Sequence, residues 1–238
     1  MPGYVIAESA LQGRRTEGDT AETRVAFDRS NGCERLEQRV IRFAPGRSRP
    51  RTLESRQEIL YVVTGEGTLR LNGAEHPLEP DMGVFLASGE TYEIENPGQA
   101  PLTLVSVVTP QQREAPARRR VTVRFADREE LTADENRTFR YLVDEEADCF
   151  DVTQFIGLVK PSRAPDHSHP YDEVGYIVEG HGLAHVGGES MPIGPGSCFH
   201  LPPEEVHCIE NTGPGVMRIM GVFHPSGSPA SRTYDAKQ

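Results

Sequence analysis

Residues that force a chain to bend recur here at one fixed interval. Gly65, Gly67, Gly73, Pro80, Gly98 and Pro110 are matched 115 positions later by Gly180, Gly182, Gly188, Pro195, Gly213 and Pro225. Glu58, Tyr61 and Asn96 are matched at the same offset by Glu173, Tyr176 and Asn211. Nearer the N-terminus the offset becomes 116, joining Arg24 with Arg140, Asp28 with Asp144, Cys33 with Cys149 and Pro45 with Pro161. One loop therefore differs by a single residue. Glycine and proline mark where a backbone must turn, so this recurrence predicts two copies of one fold. The segments between the turns are short and alternate in polarity, as in Gln38 to Phe43, and Asn72-Gly73 is a strong hairpin signal. An all-β chain is expected. The boundaries read as an N-terminal arm over 1–20, a first unit over 21–110, a linker over 111–135, a second unit over 136–225 and a tail over 226–238.

The second copy carries a metal-ligand pattern. His167, His169 and Glu173 follow one another as H-x-H-x3-E, and His207 lies 34 residues beyond the glutamate. Strand side chains alternate, so His167 and His169 share a face, and His207 reaches them from another strand. Three imidazoles and a carboxylate suit one divalent transition metal, with iron, manganese or nickel ahead of zinc or cobalt. The first copy has Thr52, Glu54, Glu58 and Tyr92 at the matching positions, and only His76 of the eight histidines precedes residue 166. One metal, in the second unit, is expected.

These residues carry a family resemblance. Residues 167–180 match the first motif of the cupins through His167, His169, Glu173 and Gly180, and residues 195–211 match the second through Pro195, His207 and Asn211. The chain resembles a bicupin from about residue 24 to 225. The resemblance implies two tandem jelly-roll β-barrels, the second holding the metal and the first lacking its ligands. It further implies a metal-dependent enzyme, foremost an oxygenase of a small anionic or enolisable metabolite. The alternatives are a hydrolase, isomerase or decarboxylase that uses the metal as a Lewis acid, as in ureidoglycine aminohydrolases, and a cupin that binds a small molecule without turning it over. Oxalate decarboxylases are less similar at the ligand positions, since both of their barrels carry ligands.

Other residues bear on the chemistry. Glu173 and His200 are the candidates for handling a proton, although alternation leaves the direction of His200 open between apolar Phe199 and Leu201. Tyr176 is expected to face away from the metal. Gly175 and Ala184 replace Leu60 and Leu69 of the first copy and would leave room for a ligand. Arg163 is weighed as a carboxylate partner against a solvated loop residue. His181, His185 and His224 read as bystanders, and the repeat-matched Cys33 and Cys149 as packing residues.

The net charge of -11 argues against a nucleic-acid partner. No apolar run approaches the ~18 residues of a membrane span. Cysteines without CxxC spacing and the lack of a secretory signal pattern point to a cytoplasmic protein. A small-molecule substrate and a homodimer are expected.

Overall fold

The computed structural model describes residues 4–234. Residues 1–3 of the expected arm and 235–238 of the expected tail lie outside the described residues. The two copies form two antiparallel sandwiches, each a seven-stranded sheet facing a smaller one. In the first, the large sheet runs Thr122–Arg124, Met82–Leu86, Arg56–Thr64, Leu102–Pro110, Glu37–Phe43, Ala21–Phe27 and Arg14–Arg15. In the second it runs Tyr4–Ala7, Ser197–Leu201, Asp172–Glu179, Met217–His224, Thr153–Val159, Arg137–Val143 and Leu131–Asp134. The pairings repeat with the sequence: Tyr61 lies opposite Val105 as Tyr176 lies opposite Met220.

The repeated residues do the same work twice. Asp28 and Asp144 each cap a single 3-10 turn, and their carbonyls accept from the Cys33 and Cys149 amides. The Asn96 amide donates to the Phe43 and Ala100 carbonyls, and Asn211 does the same to Val159 and Gly215. Each asparagine ties a hairpin end to the opposite sheet, so neither side chain can be replaced without orphaning backbone carbonyls.

Segments outside the two barrels close their edges, and they do so crosswise. Tyr4–Ala7, from the arm before the first barrel, pairs with Ser197–Leu201 of the second. Thr122–Arg124, from the expected linker, pairs with Met82–Leu86 of the first. An uncovered sheet edge invites pairing with another chain, and each of these strands covers one.

The large sheets pack against each other. Phe27, Val40, Ile59, Tyr61, Phe85 and Val105 of the first meet Ile156, Val174, Tyr176, Met220 and Val222 of the second in one apolar core. Gln38 donates to the Gly175 carbonyl, and its repeat partner Gln154 donates to the Leu60 carbonyl. The junction is thus nearly symmetric.

Candidate metal centre

Three imidazoles meet inside the second barrel. His167 comes from the short strand His167–Ser168, His169 from the following loop, and His207 starts the strand His207–Asn211, directly opposite His167. One ring nitrogen of each lies within 4.8 Å of those of the other two. Their ring centroids are 4.5 Å apart for His167 and His207, 5.0 Å for His167 and His169, and 5.3 Å for His169 and His207.

The second nitrogen of each ring is already committed. Nδ1 of His167 lies 2.9 Å from the Pro165 carbonyl, that of His169 2.8 Å from Ser231, and that of His207 2.8 Å from Glu205. A carbonyl only accepts, so each Nδ1 carries the proton and donates it. Each Nε2 is left with a free lone pair, the tautomer a metal ligand needs. Burial also keeps the rings neutral, holding His167 down to about 3, His207 to about 4, and His169 below the usual histidine range. This donor set fits a divalent metal bound by imidazole.

Glu173 lines the same cavity from the strand Asp172–Glu179. Its carboxyl stands outside the set of three nitrogens, so the imidazoles are the preformed part of the centre. Burial pushes Glu173 up to about 8, with Arg232 pulling the other way. A cation in the site would favour the ionised form further.

His200 does not reach this cavity, contrary to the role weighed for it as a proton carrier. On the strand Ser197–Leu201, Phe199 and Leu201 line the cavity, so alternation turns His200 to the opposite face. It lies in the junction between barrels, 2.7 Å from Asp172 and against Phe27. Tyr176 faces the junction too, as expected, and its hydroxyl donates to Glu8 of the arm.

Gly175 does not open space for a ligand either. A Cβ there would stand 2.0 Å from Phe199 Cζ, because the Phe199 ring lies across the glycine. Gly175 is paired with Gly221, which is covered in the same way by Phe155 from the other side, at 2.4 Å. The two glycines let two aromatic rings lie flat over the sheet and form the apolar floor of a cavity of about 90 Å3.

The wall holds residues that the sequence reading did not single out. Arg232, from the segment expected to be a tail, lines the cavity with only 6% of its side chain exposed. Its guanidinium donates to Asp134 at 2.7 Å and to the Pro229 carbonyl at 2.9 Å. Arg137 lines the cavity too and shares Asp134 at 3.3 Å. Two guanidinium groups against one carboxylate leave a positive wall beside the imidazoles. Arg163, the arginine considered from sequence, is exposed and pairs with Asp166. Nothing in the local sequence marks Arg232. It is delivered by Thr233–Tyr234 pairing with His167–Ser168.

The first barrel shows the same scaffold without this centre. Glu58, the counterpart of Glu173, accepts from the Tyr92 hydroxyl at 2.7 Å and from Ser106. Tyr92 occupies the place of His207, and Leu60, Leu69, Val84 and Leu104 fill the interior.

Comparison with known proteins agrees with this architecture. The family model of the cupin domain matches residues 39–108 and again 156–223, together more than half of the chain. Over 55 residues the chain is 36% identical to an oxalate-binding protein of Thermotoga maritima, covering 23% of this chain and 46% of that one. The chain spans about half the length of the curated relatives it matches. A structure from Pseudomonas aeruginosa whose description names glyoxylate induction superposes with a TM-score of 0.81 at 18% identity, covering 100% of this chain and 92% of that one. A Lactobacillus farciminis oxalate decarboxylase, solved with formate, gives 0.78 at 13%, covering 97% and 88%. With two matches in tandem, two jelly-roll sandwiches and a histidine cluster able to hold a metal in the second, the chain belongs to the cupin superfamily as a bicupin.

Proposed function

We propose that the second barrel binds one divalent transition metal and acts as an oxygenase on a small carboxylate. The observation that carries this reading is Arg232: a guanidinium almost sealed from solvent, lining the same small cavity as three metal-ready imidazoles. A buried cation next to a metal site selects an anion, and a planar guanidinium pairs with a carboxylate through two parallel hydrogen bonds. A cavity of about 90 Å3 admits a metabolite of few atoms. The resemblance in sequence to an oxalate-binding protein supports a ligand of this class.

The residues divide the work. His167, His169 and His207 would hold the metal through Nε2, with the Glu173 carboxyl beside them in the same cavity. Arg232, with Arg137 behind the shared Asp134, orients the carboxylate. Phe155, Phe199 and Phe223 exclude water from the floor. Iron, manganese or nickel bound there would supply Lewis-acid and redox chemistry toward an enolisable carboxylate. Glu173 is the carboxyl placed to take the substrate's proton. With His200 outside the cavity, Glu173 is the sole carboxyl or non-ligand imidazole among the described residues that line it.

An oxygen electrode tests the proposal on protein loaded with each metal and offered two- to four-carbon oxo and hydroxy carboxylates. Oxygen uptake matched to product formation supports it, and equal turnover without oxygen overturns it. A ligand that raises the melting temperature and is recovered unchanged would instead support a binding protein, the reading favoured by the oxalate-binding relative.

A further inference from the structure

A second group of ligand-type side chains sits outside the barrel centre, at the junction between the two barrels. Cys33, Asp172 and His200 place their sulfur, carboxylate oxygen and ring nitrogen within 4.8 Å of one another, and all three are buried. Cys33 belongs to the first barrel, following the capped turn at Asp28; Asp172 and His200 belong to the second. His224 lies on the same face, as the cross-strand neighbour of Asp172, with its ring outside that 4.8 Å group, so it must turn inward to serve as a ligand. It is 4% exposed, and its Nδ1 has no hydrogen-bond partner among the described residues. A buried polar atom left unpaired is costly and calls for an explanation.

The repeat supplies a built-in control. The pseudo-symmetric position on the other side of the junction holds Cys149, Gln57, Phe85 and Thr109. There the groups are taken up by ordinary hydrogen bonds and share no common donor set. Cys149 contacts Gln57 at 3.7 Å, Gln57 donates to Asp151 at 3.3 Å, and Thr109 donates to the Arg35 carbonyl at 2.9 Å. The cysteine is common to both junctions and is compatible with simple packing. The change of Gln, Phe and Thr to Asp, His and His, all on one side, replaces that hydrogen-bonded arrangement with one donor set.

We propose that Cys33, Asp172 and His200, with His224 as a fourth ligand, form a second metal site that clamps the two barrels together, suited to zinc. One thiolate, one carboxylate and imidazoles are the ligand types of a four-coordinate zinc site. A dication bound to one thiolate and one carboxylate is electrically neutral, which suits a position among Phe27, Val174 and Val222. The 2.7 Å between His200 Nε2 and Asp172 would open to about 3.4 Å, the edge of a tetrahedron with bonds of ~2.1 Å. A surface groove lined by Asp28, Glu34 and Arg35 reaches Cys33 and gives an ion its way in.

The test uses cobalt as a zinc probe, because thiolate ligation gives a near-ultraviolet charge-transfer absorption that imidazole and carboxylate do not. The full-length protein should bind two equivalents and show that absorption. The double variant His167→Ala/His207→Ala, stripped of the barrel centre, should keep one equivalent and the absorption. Cys33→Ser should lose the absorption. Asp172→Gln/His200→Phe copies the twin junction, so it has a folded precedent in the same chain, and should bind one equivalent without the thiolate band. No thiolate band in the unaltered protein, or a band that persists in Cys33→Ser, overturns the proposal; a single equivalent that carries the band supports it and tells instead against metal in the barrel centre.

Discussion

Replacing Gly175 with alanine should distort the floor of the barrel cavity, and the size of the effect follows from one distance. The new Cβ would stand 2.0 Å from Phe199 Cζ and 2.5 Å from Cε1, where ordinary contact begins at about 3.4 Å. The ring must retreat by roughly 1.4 Å. It cannot move into the sheet, so it lifts into a cavity of about 90 Å3 that it already lines. Overpacking of this kind costs about 1–3 kcal/mol. For a chain of this size that lowers the melting temperature by roughly 2–12 °C, and binding of the small carboxylate should weaken with it. Gly221→Ala, facing Phe155 at 2.4 Å, should do the same more mildly. The first barrel shows the cure, since Leu60 and Val84 stand there in place of Gly175 and Phe199. Gly175→Leu combined with Phe199→Val should therefore recover stability lost by Gly175→Leu alone, with a coupling of about 0.5–3 kcal/mol in a double-mutant cycle. The assay is urea denaturation alongside calorimetric titration of the ligand. If Gly175→Ala melts with the unaltered protein and binds as well, or if the double variant is merely additive, Phe199 is not locked over Gly175 and the account of the floor is wrong.

Other outcomes are expected from the same geometry. Arg232→Gln should weaken carboxylate binding about 10- to 100-fold, corresponding to one lost charge-assisted contact of about 1.5–3 kcal/mol, while exposed Arg163→Ala should leave titrations unchanged. Glu173→Gln should retain most of the metal by elemental analysis, because three imidazoles remain, but abolish turnover. Tyr92→Phe should cost the first barrel about 1–3 kcal/mol by removing one donor to buried Glu58, without altering metal content. All four cysteines are buried, and burial pushes the thiol of Cys149 up to about 12 and raises that of Cys198 well above its ordinary value. Native protein at pH 8 should therefore resist alkylation at these two sites, and denaturant should expose them, as peptide mass mapping would read.

The cupin membership and the tandem arrangement were legible because turn residues and histidine spacing are local patterns. A glycine at a tight turn or an H-x-H on a strand declares itself without knowledge of the rest of the chain. The spacing pointed to His167, His169 and His207, but strand alternation does not explain their meeting: His169 stands in the loop after His167–Ser168, its ring held by the Ser231 carbonyl. The direction of His200 was not legible, because apolar neighbours flank it on both faces. Only the register with Val174 and the position of Phe199 in the cavity decide it. Gly175 misled for a related reason: sequence shows that a side chain is missing, and tertiary packing decides whose ring fills the gap.

What the sequence determined by itself is the duplicated β scaffold and the imidazole set of one copy. Periodicity and backbone conformation carry that information residue by residue. The tertiary structure alone decided three things: the crosswise covering of edges by Tyr4–Ala7 and Thr122–Arg124, the placing of Arg232 in the cavity wall, and the meeting of Cys33 with Asp172 and His200. Each joins residues far apart in the chain. Such contacts are set by how two sheets pack and where a terminal segment docks, and no short-range pattern in the sequence encodes them.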